Sequence, residues 1–171
     1  LTLLAHDLGR GRVRTETRFA ADLPPVLADA KQIQQVLVNL FTNAMQAMAP
    51  KGGHLLVTLQ PCPEGVCMEV HDEGAGIAPD MLPRVFDPFF STKPEGTGLG
   101  LSVSYSIVRA HGGDLTVCSA VNQGTTFTLR LPAATVVEAE HPRTVLLVDD
   151  DEAVAATLAA MLRREGLTVR C

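Results

Sequence analysis

Residues 28–48 read ADAKQIQQVLVNLFTNAMQAM, and this stretch decides the fold. Its apolar residues recur at intervals of three and four, which predicts one long amphipathic helix with a buried face. The residues of that face are Ile33, Val36, Leu37, Leu40, Phe41, Ala44, Met45 and Met48. Pro50, Gly52 and Gly53 follow directly and end the helix.

A stripe of amide side chains interrupts this apolar pattern. Gln35, Asn39 and Asn43 are spaced four residues apart and therefore share one face of the helix. Asparagine is not a favoured helix residue, and a buried amide needs hydrogen-bond partners. The residues alone leave three interpretations open: a solvated polar stripe, a hydrogen-bonded core network, or a ligand site.

The segments outside the helix predict five strands and one shorter helix at residues 101–111. The strands are predicted at residues 12–19, 54–60, 66–71, 114–120 and 125–131. A proline- and glycine-containing turn at residues 61–65 joins two of them as a hairpin. Helices interleaved with mostly hairpin-linked strands predict a two-layer α/β (α+β) sandwich, with a long loop over residues 72–100.

The composition excludes several classes of protein. With 46% hydrophobic and 19% charged residues, the 171-residue chain can bury a core and is not globally disordered. A net charge of −5 without a basic block argues against a nucleic-acid surface. No apolar run reaches the ~20 residues of a membrane helix, and no signal peptide is visible. Four cysteines without a C-x-x-C pair indicate reduced thiols in a cytoplasm.

Three further motifs lie in or next to the long loop. Residues 72–77 read DEGAGI, whose glycines let a ligand approach the backbone; an ordinary Asp-Gly turn is the alternative. Residues 84–93 read RVFDPFFSTK, which indicates either a lid or a satellite hydrophobic cluster. Residues 96–102 read GTGLGLS and open the second helix, where bare N–H groups favour an anion; a flexible loop is the alternative.

In this order and spacing, the motifs resemble the ATP-binding catalytic domain of bacterial sensor histidine kinases, in the GHKL superfamily. Residues 39–44 match the N box, 72–76 the G1 box, 86–93 the F box and 96–100 the G2 box. The resemblance covers residues 12–132 and implies a Bergerat-type fold, a mixed, mostly antiparallel sheet covered by helices on one face. Gyrase, the mismatch-repair ATPase and the heat-shock chaperone lack the Phe-Phe-Ser-Thr-Lys loop, so the kinase branch is favoured.

The resemblance also implies a role for each motif residue, with ATP and Mg²⁺ as cofactors. Asn43 would hold Mg²⁺, Asn39 would orient the water on the metal or the phosphates, and Lys93 would reach the outer phosphates; these are the candidate catalytic residues. Asp72 would accept a hydrogen bond from the adenine amino group, and Thr125 would support the adenine site directly or through water. The other candidate ATP-binding residues are Gly74, Gly76, Ile77, Phe89, Gly96, Thr97, Gly98, Leu99, Gly100 and Leu101.

The last part of the chain has a resemblance of its own. Residues 133–142 lack any period and are expected to be a linker, and residues 143–152 then read RTVLLVDDDE. This stretch is similar to the first strand of response-regulator receiver domains, which implies a truncated β-α-β start at residues 143–171. In a complete receiver, Asp149 and Asp150 would help to bind Mg²⁺.

The expected function is transfer of the γ-phosphoryl group of ATP to a histidine of a separate phosphoacceptor domain. Residues 1–11 are expected to end a preceding helical segment, and two glycines after His6 argue against a phosphoacceptor role for it. Expected partners are the helical hairpin of a longer parent protein and a receiver domain or response regulator. The parent would be a homodimer through that hairpin, and its membrane attachment is left open. Two alternatives are a GHKL ATPase-type conformational clamp and a non-catalytic nucleotide-binding or interaction module.

Overall fold

The computed structural model describes residues 13–49, 51–91, 96–134, 144–146, 152–164 and 168–170. The chain divides into two units, residues 1–134 and residues 135–171. The described elements of the first unit are helices interleaved with hairpin-linked strands, as the sequence predicts. In chain order they are β1 (Val13–Phe19), α1 (Ala30–Met48), β2 (Gly53–Cys62), β3 (Gly65–Asp72), a 3-10 turn (Leu82–Arg84), α2 (Gly100–Ala110), β4 (Asp114–Ala120) and β5 (Gly124–Pro132).

These strands form one five-stranded sheet with the order β1-β2-β3-β5-β4. Strand β1 pairs with β2 in parallel, with Val13 opposite Gly53, because α1 carries the chain back between them. The other three pairings are antiparallel, which confirms the predicted mixed, mostly antiparallel sheet. At the end of β3, Asp72 lies opposite Thr125 of β5, and Ser119 of β4 lies opposite the same Thr125.

Helix α1 begins where the side chain of Asp29 accepts hydrogen bonds from the backbone N–H groups of Lys31 and Gln32. Its apolar stripe and the inner face of the sheet form one core, in which Leu40 and Val36 are fully buried. Helix α2 packs beside α1 and adds Val108 to this core. The two predicted layers are therefore present, with both helices packed against the core side of the sheet.

The second unit contains short elements where it is described. They are β6 (Thr144–Leu146), α3 (Glu152–Arg164) and β7 (Thr168–Arg170). Strands β6 and β7 pair in parallel, with Val145 opposite Val169. Among the described residues of the whole chain, no helix has the length and apolarity to span a lipid bilayer.

Candidate functional site

A cavity of about 310 Å³ opens between α1, the end of β3, the start of β5 and the start of α2. Its walls come from five separate stretches of the chain, which the fold brings together. The lining residues are Asn39, Thr42, Asn43, Gln46, Ala47, Asp72, Gly76, Ile77, Val85, Phe90, Ser91, Gly96, Thr97, Gly98, Gly100, Leu101, Thr125 and Phe127. Asp72 is the only residue with an ionisable side chain among these described lining residues.

Helix α1 supplies one wall through the polar face that lies beside its apolar stripe. Asn39 and Asn43 are half-buried there, one turn apart, and Thr42 and Gln46 lie on the same side of the helix. Gln35, one turn before Asn39, is exposed and does not line the cavity. Only the part of the amide stripe from Asn39 onwards therefore lines the cavity.

Asp72 closes the cavity at the end of β3, where its side chain is 2% exposed. Its Oδ1 accepts a hydrogen bond from the backbone N–H of Gly74 at 2.8 Å, which turns the chain sharply after the strand. A Cβ on Gly74 would lie 2.6 Å from the Cβ of Ala47, so glycine lets this turn pack directly against α1. The carboxyl group is consequently held in place by its own loop.

The loop that follows Asp72 is fixed from the opposite side by the hairpin of β4 and β5. The backbone N–H of Ile77 donates to Oγ of Ser119 at 2.8 Å, and the N–H of Asn122 donates to the carbonyl of Ala75 at 2.8 Å. Gly76 has a φ of 70°, and a Cβ there would collide with the carbonyl oxygen of Ala120. These contacts place Ile77 at the cavity wall.

The start of α2 forms the opposite end of the cavity. The N-cap residue Leu99 makes no side-chain cap hydrogen bond, and its own N–H donates to Oγ1 of Thr97 at 3.4 Å. The described residues therefore leave the N–H groups that follow Leu99 available for hydrogen bonds. Glycines at positions 96, 98 and 100 leave the backbone bare beside the cavity. Such a helix terminus carries a partial positive charge and favours an anion.

Asn39 connects α1 to this terminus. Its Nδ2 donates to Oγ of Ser104 at 3.0 Å, and Ser104 is buried within α2. A Cβ on Gly100 would collide with Oδ1 of Asn39, so the two helices approach each other closely here. Asn39 therefore contacts the first two turns of α2, with Oδ1 beside Gly100 and Nδ2 bonded to Ser104.

The segment around the F box contributes one aromatic ring, that of Phe90, to the cavity wall. The ring of Phe86 packs 5.2 Å from that of Tyr105 on α2, and the guanidinium of Arg84 lies 4.8 Å above the ring of Phe90. Phe90 and the buried Val85 line the cavity, whereas Phe89 is 78% exposed and has a φ of 65°. The left-handed backbone at Phe89 turns its side chain to solvent and the next ring inward.

Most of the residues predicted for the site lie around this one cavity. It brings together Asn39, Asn43, Asp72, Gly76, Ile77, Gly96, Thr97, Gly98, Gly100, Leu101 and Thr125. Gly74, Phe89 and Leu99 do not line it. Lys93, Asp149, Asp150, residues 1–12 and residues 135–142 lie outside the described residues.

Several lining residues were not predicted. They are Thr42, Gln46, Ala47, Val85, Phe90, Ser91 and Phe127. For the first three, helical spacing from Asn39 and Asn43 was an available signal, because positions three and four apart share a face. Phe127 lies two residues after Thr125 on β5, and the same alternation places both on one face of the sheet.

Comparison with known proteins agrees with this geometry. Residues 28–135 match the family described as histidine kinase-, DNA gyrase B- and HSP90-like ATPase. The sensor histidine kinase ZraS of Escherichia coli strain K12 is 44% identical over 134 residues, which cover 77% of this chain and 28% of ZraS. The catalytic domain of the histidine kinase ThkA superposes with a TM-score of 0.69 at 30% identity, covering 77% of this chain and 86% of that one.

The similarity to a third protein extends over nearly the whole sequence. Full-length ShkA, solved in complex with AMPPNP, has a TM-score of 0.67 at 28% identity and covers 98% of this chain and 37% of that one. The chain spans less than a third of the length of curated relatives such as ZraS. With a family match over residues 28–135, the chain belongs to the histidine kinase-, DNA gyrase B- and HSP90-like ATPases, on the branch of the sensor histidine kinases.

Proposed function

We propose that this chain binds ATP with Mg²⁺ in the cavity and donates the γ-phosphoryl group to a histidine of a separate phosphoacceptor domain, in two-component signalling. The observation that carries the proposal is the polarity of the cavity. A buried carboxyl group stands at one end, and an uncapped helix N-terminus with bare glycines stands at the other. A nucleotide has the matching polarity, with a base that carries hydrogen-bond donors at one end and an anionic phosphate chain at the other.

The base would lie at the Asp72 end. A carboxylate only accepts hydrogen bonds, so it pairs with an exocyclic amino group and not with a carbonyl. Thr125 lies beside it on the neighbouring strand, and Ile77 and Phe127 supply apolar walls for a planar ring. These residues favour adenine over guanine at this end.

The phosphates would lie against the first turn of α2. Gly96, Gly98 and Gly100 let phosphate oxygens approach the backbone N–H groups, and the helix dipole favours their negative charge. Lys93, which precedes this segment in the sequence, would add a positive charge on the outer phosphates. Asn39 would fix the N-terminal half of α2 through Ser104, and would in that way also orient the phosphates.

The donor set of the cavity fits Mg²⁺. The described residues contain no group of three or more His, Cys, Asp or Glu side chains that could hold a metal on their own. Mg²⁺ instead takes one or two protein oxygens together with phosphate oxygens and water, and the amide oxygen of Asn43 is such a hard ligand. The bound ion would neutralise charge on the phosphates during transfer.

In the proposed reaction, the bond between the γ-phosphorus and the β,γ-bridging oxygen breaks and a phosphorus–nitrogen bond forms to the acceptor imidazole. ADP leaves with the bridging oxygen, and the residues of this chain position and stabilise the transferring group. The helical hairpin of a longer parent protein would supply the histidine. The same hairpin would join two copies of the parent as a homodimer. A receiver domain or response regulator would then take the phosphoryl group.

Calorimetry with ATP and Mg²⁺ tests the binding step. We expect saturable binding to the wild-type chain and a higher melting temperature with the ligand. Asn43→Ala should lose most of the affinity for MgATP, and Asp72→Asn should weaken adenine binding and narrow the preference for ATP over GTP. Gln35→Ala is the matched control, because Gln35 belongs to the same stripe of α1 but lies outside the cavity. No binding to a folded wild-type chain would contradict the proposal.

Labelling with γ-labelled ATP tests the transfer step. The chain alone should acquire no acid-labile phosphate, and the parent's hairpin added in trans should become labelled, slowly because it is not tethered. Labelling of His6 in the isolated chain would contradict the assigned acceptor. Sustained hydrolysis with ATP-dependent dimerisation would instead favour a conformational clamp.

We further propose that residues 1–11 end a helical segment, that residues 12–132 are the catalytic domain, and that a linker over residues 133–142 leads to a receiver domain beginning at residue 143. The parallel pairing of β6 and β7 around α3 supports a β-α-β start. Asp149 and Asp150 would become Mg²⁺ ligands only in the complete receiver. We also propose that the chain acts in the cytoplasm, where this phosphorelay would take place. Phosphoryl transfer to a longer chain that continues past residue 171, but not to this one, would support the assignment.

A further inference from the structure

Three oxygen-bearing side chains form a row across three neighbouring strands at the base end of the cavity. Asp72 of β3 is paired with Thr125 of β5, and Thr125 is paired with Ser119 of β4. Asp72 and Thr125 are 2% and 4% exposed and line the cavity. Ser119 stands behind Thr125 and does not line the cavity.

The hydroxyl of Ser119 has a full set of hydrogen-bond partners. Its Oγ lies 2.8 Å from the backbone N of Ile77, 2.8 Å from the carbonyl oxygen of Gly124 and 3.0 Å from Oγ1 of Thr125. A serine hydroxyl offers one proton and two lone pairs. The N–H of Ile77 can only donate, so it occupies one lone pair. The carbonyl of Gly124 can only accept, so it takes the proton of Ser119.

This count fixes the direction of the remaining hydrogen bond. Since the proton of Ser119 is used by Gly124 and one lone pair by Ile77, Ser119 can offer Thr125 only its second lone pair. The hydroxyl proton of Thr125 must therefore point to Ser119, away from the cavity. Oγ1 of Thr125 then presents lone pairs alone to a ligand, beside a carboxylate that also only accepts.

We infer that Ser119 is a positioning residue for base selectivity, which acts by holding Thr125 as a pure hydrogen-bond acceptor. The inference rests on the proposed nucleotide site and adds to it the residue that sets its polarity. A base with an exocyclic amino group, or a water donating to Thr125, finds an acceptor there. A base with a carbonyl in place of the amino group meets two acceptors, Asp72 and Thr125, and no donor.

The test is the ratio of the dissociation constants for GTP and ATP, measured with Mg²⁺ on the full 171-residue chain. Ser119→Ala frees the Thr125 hydroxyl to rotate and donate into the cavity, so the ratio should fall by about fivefold to tenfold. ITP, which carries the same carbonyl without the guanine amino group, should gain affinity in parallel. Ser119→Thr keeps the hydroxyl and should keep the wild-type ratio. A merely structural role for Ser119 would weaken both nucleotides alike and leave the ratio unchanged.

Thr125→Val and Thr126→Val form a matched pair on β5. Thr125→Val removes the acceptor and should weaken ATP binding more than GTP binding. The hydroxyl of Thr126 lies 2.9 Å from Nδ1 of His71 and outside the cavity, so Thr126→Val should leave the ratio unchanged. This pair also decides the question if Ser119→Ala does not fold, because an unchanged ratio in Thr125→Val would overturn the inference.

The outcomes separate the two proposals. A wild-type chain that binds no nucleotide overturns the proposed function and this inference together. A wild-type chain that prefers ATP, with a Ser119→Ala variant that keeps the same preference, overturns the inference alone.

Discussion

The backbone N–H of Asp29 donates a hydrogen bond to Nε2 of His111 at 3.0 Å, although 82 residues separate the two in the sequence. The other ring nitrogen, Nδ1, lies 2.8 Å from the carbonyl oxygen of Ile107. Because an N–H only donates and a carbonyl only accepts, these two contacts place a lone pair on Nε2 and a ring proton on Nδ1. His111 thus joins the end of α2 to the residue that caps α1, and both helices carry the candidate site.

His111→Ala should lower the free energy of unfolding by about 1–3 kcal/mol, since two hydrogen bonds are lost. Urea denaturation followed by circular dichroism measures this change. His54→Ala is a suitable comparison and should cost less, because Nε2 of His54 lies 3.3 Å from a carboxylate oxygen of Glu16 at a partly exposed position. Equal losses in the two variants would show that the junction between the helices adds no more stability than a partly exposed surface contact.

Gly100→Ala should weaken nucleotide binding much more than it destabilises the fold. The new Cβ would collide with Oδ1 of Asn39, and relief of the collision displaces either the Asn39 amide from Ser104 or the first turn of α2 from α1. Ser106→Ala, at an exposed position on the same helix, should leave the affinity unchanged. The measurement is calorimetry with MgATP, next to the melting temperature of each unliganded variant. Wild-type affinity in Gly100→Ala would show that the spacing between the helices is not needed for binding.

At position 89, a glycine variant should be more stable than an alanine variant, which is the reverse of the usual order of stability. Phe89 has a φ of 65°, a conformation in which a Cβ costs about 1 kcal/mol and glycine costs nothing. We therefore expect Phe89→Gly to be more stable than Phe89→Ala by about 1 kcal/mol, as measured by chemical denaturation. In an ordinary loop conformation glycine would be the less stable of the two, and that order would contradict the backbone geometry.

Cys67 should react with iodoacetamide only at higher pH than a cysteine of the unfolded chain. Burial raises the pKa of the Cys67 thiol, so the unreactive neutral form persists in the folded protein. The exposed Cys118 serves as an internal reference and should be labelled first, as followed by peptide mass spectrometry.

The same raised pKa links Cys67 to stability. Since the unfolded chain loses this proton at lower pH, the contribution of Cys67 to folding should be complete below the ordinary thiol pKa. It should then decrease as the pH rises towards the folded-state pKa. Cys67→Ala should remove this alkaline dependence, and a dependence that persists in the variant would assign it to another group.

The sequence predicted the helices, the five strands and most of the cavity wall, because these depend on local periodicity and on motif residues next to element ends. The parallel pairing of β1 with β2 was not specified, since alternation places residues on faces but does not name a partner strand. The motif residues converge because Asp72 ends β3, Asn39 and Asn43 lie on α1, and Gly100 begins α2.

The sequence could not predict the direction of a side chain where the backbone geometry decides it. Two adjacent phenylalanines, Phe89 and Phe90, are equivalent as a pattern, and only the left-handed backbone at the first turns the second into the cavity. The role of Ser119 is likewise invisible in the sequence, because it depends on contacts with Ile77 in the loop after β3 and with Gly124 and Thr125 at the start of β5.

The strand order has a consequence for how the sheet opens. Strand β1 lies at one end of the order β1-β2-β3-β5-β4 and pairs only with β2 among the described strands, and most of its side chains are exposed. Strands β3 and β5 are paired on both sides and bury most of theirs. Amide protons of β1 should therefore exchange with solvent through local fluctuations, whereas those of β3 and β5 should exchange only on global unfolding. Asp72 and Thr125 lie on these two inner strands, so the part of the cavity that they form should persist while β1, at the end of the strand order, opens and closes.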